Sequence, residues 1–307
     1  MRNIHEPLAP PPAHYLERVN LAMDYVATHL DESLRLVDVS RAAMFSPFHF
    51  HRVFQAIVGE TLADFVKRLR LDKALFLMAH SRRMTLTEVA RSCGFSSSSD
   101  FSRCFRQRFG VSPRAFDIEE WSAAHRAELD AAASGTVELR HLRQLSPDDE
   151  SEAFPVRIRA LPARTVAYLR VSNPYEGDAV VQAVRRLIGW AESRSLADGQ
   201  WLGYQWENPE LVPLEQCRYH VAVEAERFTP EGDIGRFEFP PMVVAEVDVR
   251  GGIDLELRVL RWLFGSWLPR SGYVPDDHPC FEAWIGRPFA HGMEHFELRA
   301  QLPVRRG

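Results

Sequence analysis

Cysteine is scarce and scattered in this 307-residue chain: Cys93, Cys104, Cys217 and Cys280 lie far apart, and no C-x-x-C pair occurs. That spacing argues against both a zinc site and a disulfide framework. No apolar run is long enough to span a bilayer, and the opening Met-Arg-Asn-Ile-His-Glu lacks the apolar core of a signal peptide. The expectation is a cytoplasmic protein with no membrane partner. Lysine is nearly missing, with Lys67 and Lys73 the only two among 37 basic residues, a bias that by itself selects no function. There is also no Ser-His-Asp set, phosphate loop or constellation of metal ligands, so no catalytic residue, metal or cofactor is expected. What is present, a 46% hydrophobic content, is ordinary for globular protein, and the length suits two domains.

One stretch occurs twice in the first third. Residues 34–65, LRLVDVSRAAMFSPFHFHRVFQAIVGETLADF, are echoed at 84–116 by MTLTEVARSCGFSSSSDFSRCFRQRFGVSPRAF. Leu36, Val39, Arg41 and Phe45 match Leu86, Val89, Arg91 and Phe95. After one extra residue in the serine run, Phe50, Arg52, Phe54, Gly59 and Phe65 match Phe101, Arg103, Phe105, Gly110 and Phe116. Apolar residues at helical spacing on both sides of a small-residue break make each copy a helix, a tight turn and a second helix.

In the first copy Leu36, Val39 and Ala43 are expected to face inward, Ser46 to cap and Pro47 to open the second helix, which buries Phe50, Val53 and Phe54. This leaves Phe48, His51, Arg52 and Gln55 outward. In the second copy Leu86, Val89, Ala90 and Phe95 pack, Ser96 or Ser97 caps, and Phe101, Cys104 and Phe105 are buried. Ser98, Ser99, Asp100, Ser102 and Arg103 are left outward. Between the copies, residues 62–79 have the spacing of one continuous helix of about 27 Å. A rod of that length can hold two recognition helices about one turn of B-DNA apart, roughly 34 Å, on one face of the duplex.

These paired motifs, and GFSSSSDFSRCFRQRFGVSPRAF above all, resemble the AraC/XylS transcription regulators, over residues 15–117. The resemblance implies base-edge contacts from Phe48, His51 and Arg52 in the first recognition helix and from Ser98, Ser99, Asp100 and Arg103 in the second. Two positions depart from the family pattern. The usual turn glycine of the first module is Met44, and the arginine that commonly follows the final aromatic is Asp117. The chemistry fits independently of the family. Arginine reads guanine O6 and N7 bidentately, serine and histidine serve several base edges, and an aromatic touches a thymine methyl. Exposed arginine is ordinary on any helix; Arg52 and Arg103 carry weight because they stand at equivalent positions of a repeat.

Charge is divided along the chain. Residues 1–117 contain 16 basic and 12 acidic side chains, a net of +4, and the remainder is −9, giving −5 for the whole. Nucleic acid therefore belongs to the N-terminal part, with a steep salt dependence where phosphates are contacted.

The boundary lies between about 118 and 154. Residues 119–133 are alanine-rich and helical in pattern, Ser134-Gly135 is expected to break the helix, 137–145 are compatible with a short strand, and 146–152 are an acidic linker. A second, fainter duplication follows. Strand patterns at 164–171 and 242–249 each precede a helical stretch, at 179–195 and 254–268, with Trp190 and Trp267 near the helix ends. Further strands are expected at 156–161, 201–205, 218–223, 236–239, 280–285 and 295–302. Two strand-helix-strand-strand halves make an α+β domain with a groove at their junction.

The half is rich in aromatics, and Glu282 lies within the strand pattern Cys-Phe-Glu-Ala-Trp-Ile. A carboxylate among aromatics is costly to bury unless a cation or hydrogen bonds meet it, and carboxylate plus aromatic faces is the chemistry of organic-cation capture. Strand alternation alone leaves open whether Glu282 points to water or inward.

The segments GYQWENPELVPLEQCRYHVAV, GSWLPRSGY and CFEAW resemble the GyrI-like small-molecule-binding domain, over roughly 155–303. That resemblance places Glu282 and Trp284 at a pocket, in a strand whose central glutamate faces the ligand. The family's Y-D-N-P rim is Gln205-Trp206-Glu207-Asn208-Pro209 here. Tyr168, Tyr204, Trp206, Trp267 and Tyr273 complete the expected ligand contacts.

The sequence thus reads as a 1–14 tail, an all-α double helix-turn-helix DNA-binding domain at 15–117, a helical and acidic linker at 118–154, and an α+β GyrI-like domain at 155–305. The combination is similar to the Rob type of regulator. It implies an activator of export or stress genes whose partners are promoter DNA, a small lipophilic effector with cations favoured by Glu282, and RNA polymerase. The alternative is a GyrI-like hydrolase of reactive small molecules joined to a DNA-binding domain, with Glu282 as general acid or base.

Overall fold

The doubled motif folds as two helix-turn-helix units separated by one long helix. The computed structural model describes residues 13–81, 84–135, 153–292 and 295–307. The expected tail up to residue 12, the strand at 137–145 and the acidic run at 146–152 lie outside the described residues.

A first helix, α1 (Ala13–Thr28), precedes the repeat, and its buried Val19, Ala22 and Val26 join the first unit's core. The first unit is α2 (Leu36–Ala42) and α3 (Pro47–Val58); the second is α5 (Leu86–Ser92) and α6 (Ser98–Phe109). The recognition helices start and stop by the same chemistry. Ser46 accepts a hydrogen bond from the His49 amide, Ser97 accepts one from the Asp100 amide, and each helix ends on a left-handed glycine, Gly59 or Gly110. Phe50 and Phe54 in one helix and Phe101, Cys104 and Phe105 in the other are buried as expected. Leu36 and Val53 are corrections: Leu36 is 39% exposed and Val53 half-buried, because α2 and α3 turn their Val39, Phe50 and Phe54 faces fully inward.

The intervening rod is α4 (Leu62–His80), about 28 Å long at the usual rise per residue. Asp117, where the family pattern has arginine, caps the next helix by accepting from the Glu119 and Glu120 amides at 3.0 and 2.9 Å. That helix, α7 (Ile118–Gly135), takes in Ser134 and ends at Gly135, within the pair where the break was expected.

The C-terminal half is built on one antiparallel sheet. Its strands are β1 (Arg157–Leu161), β2 (Arg164–Ser172), β3 (Trp201–Gln205), β4 (Arg218–Glu224), β5 (Ile234–Phe239), β6 (Met242–Gly251), β8 (Phe281–Trp284) and β9 (Phe296–Arg306), with the short β7 (Tyr273–Pro275) on β9. The order β1-β6-β9-β8-β3-β4-β2-β5 reads outward from the central β8-β3 pair as two equivalent arms. The faint duplication is therefore physical. Each arm supplies a strand, a helix and two strands, with β2, α8 (Ala179–Glu192), β3 and β4 matched by β6, α9 (Ile253–Trp262), β8 and β9. Each edge strand crosses over: β1, which precedes β2 in the chain, pairs with β6, while β5, which precedes β6, pairs with β2.

Leu187 and Ala191 of α8 and Val259 of α9 cover one face of this sheet. Beyond α9 the helix widens into a π turn at Leu263–Trp267 before a last short helix, Leu268–Ser271.

Candidate functional site

The exposed faces of α3 and α6 are as the repeat predicts. Phe48 is 77% exposed, and His51, Arg52 and Gln55 are exposed beside it. On α6, Ser99 and Arg103 are exposed while Ser98 and Asp100 are half-buried. Asp100 is committed to its neighbour: its carboxylate accepts from Arg103 at 2.6 Å and from Ser96 at 3.1 Å, which orients the arginine. An apolar ring as large as that of Phe48 standing clear of the surface has no packing role on its own helix.

The second site lies at the junction of the two arms. Across the central pair Gly203 faces Glu282, with Leu202 opposite Ala283 and Tyr204 opposite Phe281. Phe281 and Ala283 point to one face of the sheet; Glu282 and Trp284 point to the other, toward the helices. Strand alternation, left open by the sequence, is thereby decided. The Tyr219 hydroxyl from β4 donates to the Glu282 carboxylate in a short hydrogen bond. A Cβ at position 203 would collide with both of those groups, so only glycine lets the tyrosine reach the carboxylate.

This site opens into a cavity of about 1610 Å³ lined by Glu282, Trp284 and Trp206 among the expected contacts. The other four expected contacts are corrections. Tyr168 and Tyr204 are buried on the opposite face of the sheet, where Tyr204 stacks on His220 with ring centres 4.7 Å apart and Tyr168 donates to Asp24 of α1 at 2.5 Å. Trp267 and Tyr273 stack on one another at 6.0 Å and do not line the cavity. Alternation placed the first two: residues on β2 and β3 with the wrong parity relative to Glu282 face α1.

The sequence reading missed three residues here: Tyr219, Gly203 and Glu256. Glu256, on α9, is 3% exposed and lines the same cavity. Two signals were available. Gly203 sits inside a strand pattern, which marks a close approach, and Glu256 lies at helical spacing with the buried Val259 and Leu263. Burial pushes the Glu282 carboxyl up, against the pull of the Tyr219 hydroxyl. Burial pushes Glu256 further up, and the neighbouring Glu282 charge adds to that.

The cavity is not confined to the sheet domain. Its wall includes Leu69, Asp72, Phe76 and His80 of α4 and Arg126 and Leu129 of α7. Phe264, in the π turn, meets both Phe76 and His80 of α4, with ring centres 5.8 and 4.8 Å apart. Burial lowers His80 to about 4, so it stands there neutral. Ten carboxylates and three basic side chains line the cavity among the described residues, and all three bases are already paired. Lys73 meets Asp277 at 3.1 Å, Arg126 meets Glu210 at 3.3 Å, and Arg261 meets Glu210 and Asp130, each at 2.7 Å. The lining therefore favours positive charge.

A buried ionic network runs from this wall into the DNA-binding half. Arg68 bridges Glu60 at 2.7 Å and Asp72 at 3.4 Å, and Arg108 of α6 reaches Asp72 and Gln216, each at 3.0 Å. Burial pushes Asp72 up to about 6 against the attraction of Arg108 and Arg68. On the far face of the sheet Arg170 donates to Asp24 at 2.6 Å and to His220 at 2.9 Å.

Comparison with known proteins divides the chain at the same place. Residues 39–117 match a helix-turn-helix domain and residues 154–305 a GyrI-like small molecule binding domain. LumQ of Photobacterium leiognathi, named "Probable transcriptional regulator", is 36% identical over 105 residues, covering 34% of this chain and 42% of its own length. The chain thus spans less than half the length of that regulator. The DNA gyrase inhibitor of Edwardsiella piscicida is 31% identical over 160 residues, 49% of this chain and 98% of that protein. Among solved structures, the DNA-binding domain of AdpA in complex with a target DNA is 26% identical, covers 36% of this chain and 96% of that one, and has a TM-score of 0.31. The chain thus joins a helix-turn-helix domain similar to those of AraC-type regulators to a second half that belongs to the GyrI-like small-molecule-binding family.

Proposed function

We propose that this protein is a ligand-responsive transcription regulator that binds promoter DNA through α3 and α6 and senses a small lipophilic cation in the cavity at Glu282. The observation that carries this reading is the shared wall. One cavity is bounded by the Glu282 site and by α4, the helix that joins the two recognition modules. A ligand that fits one setting of Phe264 against Phe76 and His80 better than another shifts the orientation of α4, and the same coupling makes DNA alter ligand affinity. Contacts to base edges fall to Phe48, His51, Arg52 and Gln55 on α3 and to Ser98, Ser99 and Arg103 on α6, with Asp100 holding Arg103. The direction of regulation is activation, and RNA polymerase is the partner that activation requires.

The test is ligand capture. The full chain is incubated with a mixed panel of lipophilic cations and neutral compounds, and the retained species is weighed by mass spectrometry. A cation retained unchanged by the wild type and lost in Glu282→Gln supports the sensor; equal retention by both removes Glu282 from the site.

Hydrolysis is the second reading, favoured by two carboxyls, Glu282 and Glu256, lining one cavity, since a carboxyl pair can supply acid and base together. Recovery of a compound that has gained one water, abolished in Glu282→Gln, would establish it.

A further inference from the structure

Glu256 is a buried carboxylate on the cavity wall and takes no part in the sensor as proposed. It reaches the cavity from the first turn of α9 and is only 3% exposed. Among the described residues no hydrogen bond or ion pair meets its carboxylate, and Glu282 has only the Tyr219 hydroxyl. The bases on the cavity wall cannot serve either of them, because Lys73, Arg126 and Arg261 are held by Asp277, Glu210 and Asp130. The end of α9 offers only the partial charge of its free amides. Two desolvated carboxylates on one cavity wall without an internal counter-ion are an unfavourable arrangement unless a cation meets them.

We infer that the cavity takes an organic dication, with one positive centre at Glu282 and the other at Glu256. This rests on the ligand-sensor reading and narrows its ligand class. Charge balance supplies the selectivity. Each carboxyl is pushed up by burial and the Glu282 charge pushes Glu256 further in the same direction, so the pair resists ionising together when no cation is bound. A monocation neutralises one carboxylate and leaves the other protonated. A dication permits both to ionise and pairs both, so the second charge is attracted in a medium where such attraction is strong. Trp206, Trp284, Phe289 and Phe296 line the same space and offer aromatic faces to quaternary nitrogen, which needs no hydrogen-bond acceptor.

The test uses two compounds of one shape. The full chain is titrated calorimetrically with 1,4-bis(trimethylammoniomethyl)benzene and with (4-methylbenzyl)trimethylammonium. The bis-quaternary compound is expected to bind at least about tenfold tighter, a difference of about 1.4 kcal/mol. Glu256→Gln is expected to bring the ratio of the two affinities to about one, while Glu282→Gln weakens both. Equal affinity of the two compounds for the wild type, a comparison that needs no variant, overturns the dication inference and leaves the sensor intact. A ratio that survives Glu256→Gln also overturns it. Failure of both compounds to bind overturns the sensor reading and the inference with it.

Discussion

The two helix-turn-helix copies share a pattern and a fold but not their surroundings. The first closes its core with α1, the start of α4 and its own residues. The second closes its core with Leu211, Val212 and Cys217 from the GyrI-like half, and the Trp121 indole of α7 donates to the Leu211 carbonyl at 2.9 Å across the same seam. Their local construction is ordered the other way. In the first copy α2 begins behind Arg35 with no side-chain cap, and the turn is held by Met44 at φ 54°. In the second, α5 begins with a full Thr85 and Glu88 capping box, and the turn is Gly94 at φ 76°. The strained turn is tolerated where its side chain is free to stand in solvent: Met44 is 58% exposed. At Gly94 a Cβ would run into the Leu30 carbonyl and lie 2.9 Å from both the Asp31 backbone and the Arg70 guanidinium. The copy whose core takes in residues of the GyrI-like half is the one whose local chemistry follows the rules.

That contrast can be broken in descending order of effect. Gly94→Met combines left-handed strain with overpacking and is expected to destabilise the chain by about 3–5 kcal/mol. Denaturant unfolding measures it, and a loss below about 1 kcal/mol would show the two turns to be interchangeable. Arg103→Ala and Arg52→Ala are each expected to weaken specific DNA binding by about 1–3 kcal/mol, each at its own half of the site. A gel-shift series on duplexes mutated one half at a time checks this, and an unchanged affinity for Arg103→Ala would remove α6 from the reader. The smallest change is a gain: Met44→Gly relieves the left-handed turn and is expected to stabilise by about 0.5–1 kcal/mol. A loss of stability there would mean that Met44 packs in a way its exposure denies.

Helix spacing, caps and glycine stops were legible because they are local: Ser46, Pro47, Gly59, Ser97 and Gly110 each act within one turn of chain. The sheet halves were legible for a related reason, since β3 at 201–205 and the starts of β2, β4 and β6 follow alternation and turn residues. The ligand contacts were less so. Composition marked the right half of the chain, and motif marked Glu282 and Trp284. Which face each aromatic takes depends on register across β3 and β8, a non-local pairing, so Tyr168 and Tyr204 were placed on the wrong side. Glu256 and Tyr219 come to Glu282 from α9 and β4, and no spacing in sequence connects the three. The wall contributed by α4 and α7 is tertiary in the same sense. Nothing in the pattern of a spacer helix says that Phe76 and His80 will face a cavity in the next domain.

In the proposed function the cavity and the DNA reader are coupled through α4. The most direct measurement is calorimetric titration of (4-methylbenzyl)trimethylammonium into the free protein and into protein saturated with a duplex that it has selected from random sequence. The coupling described here predicts ligand Kd values that differ about fivefold or more between the two, with DNA affinity changed by the same factor when ligand is present. Identical Kd values would contradict it, because a ligand indifferent to bound DNA cannot regulate through it at equilibrium.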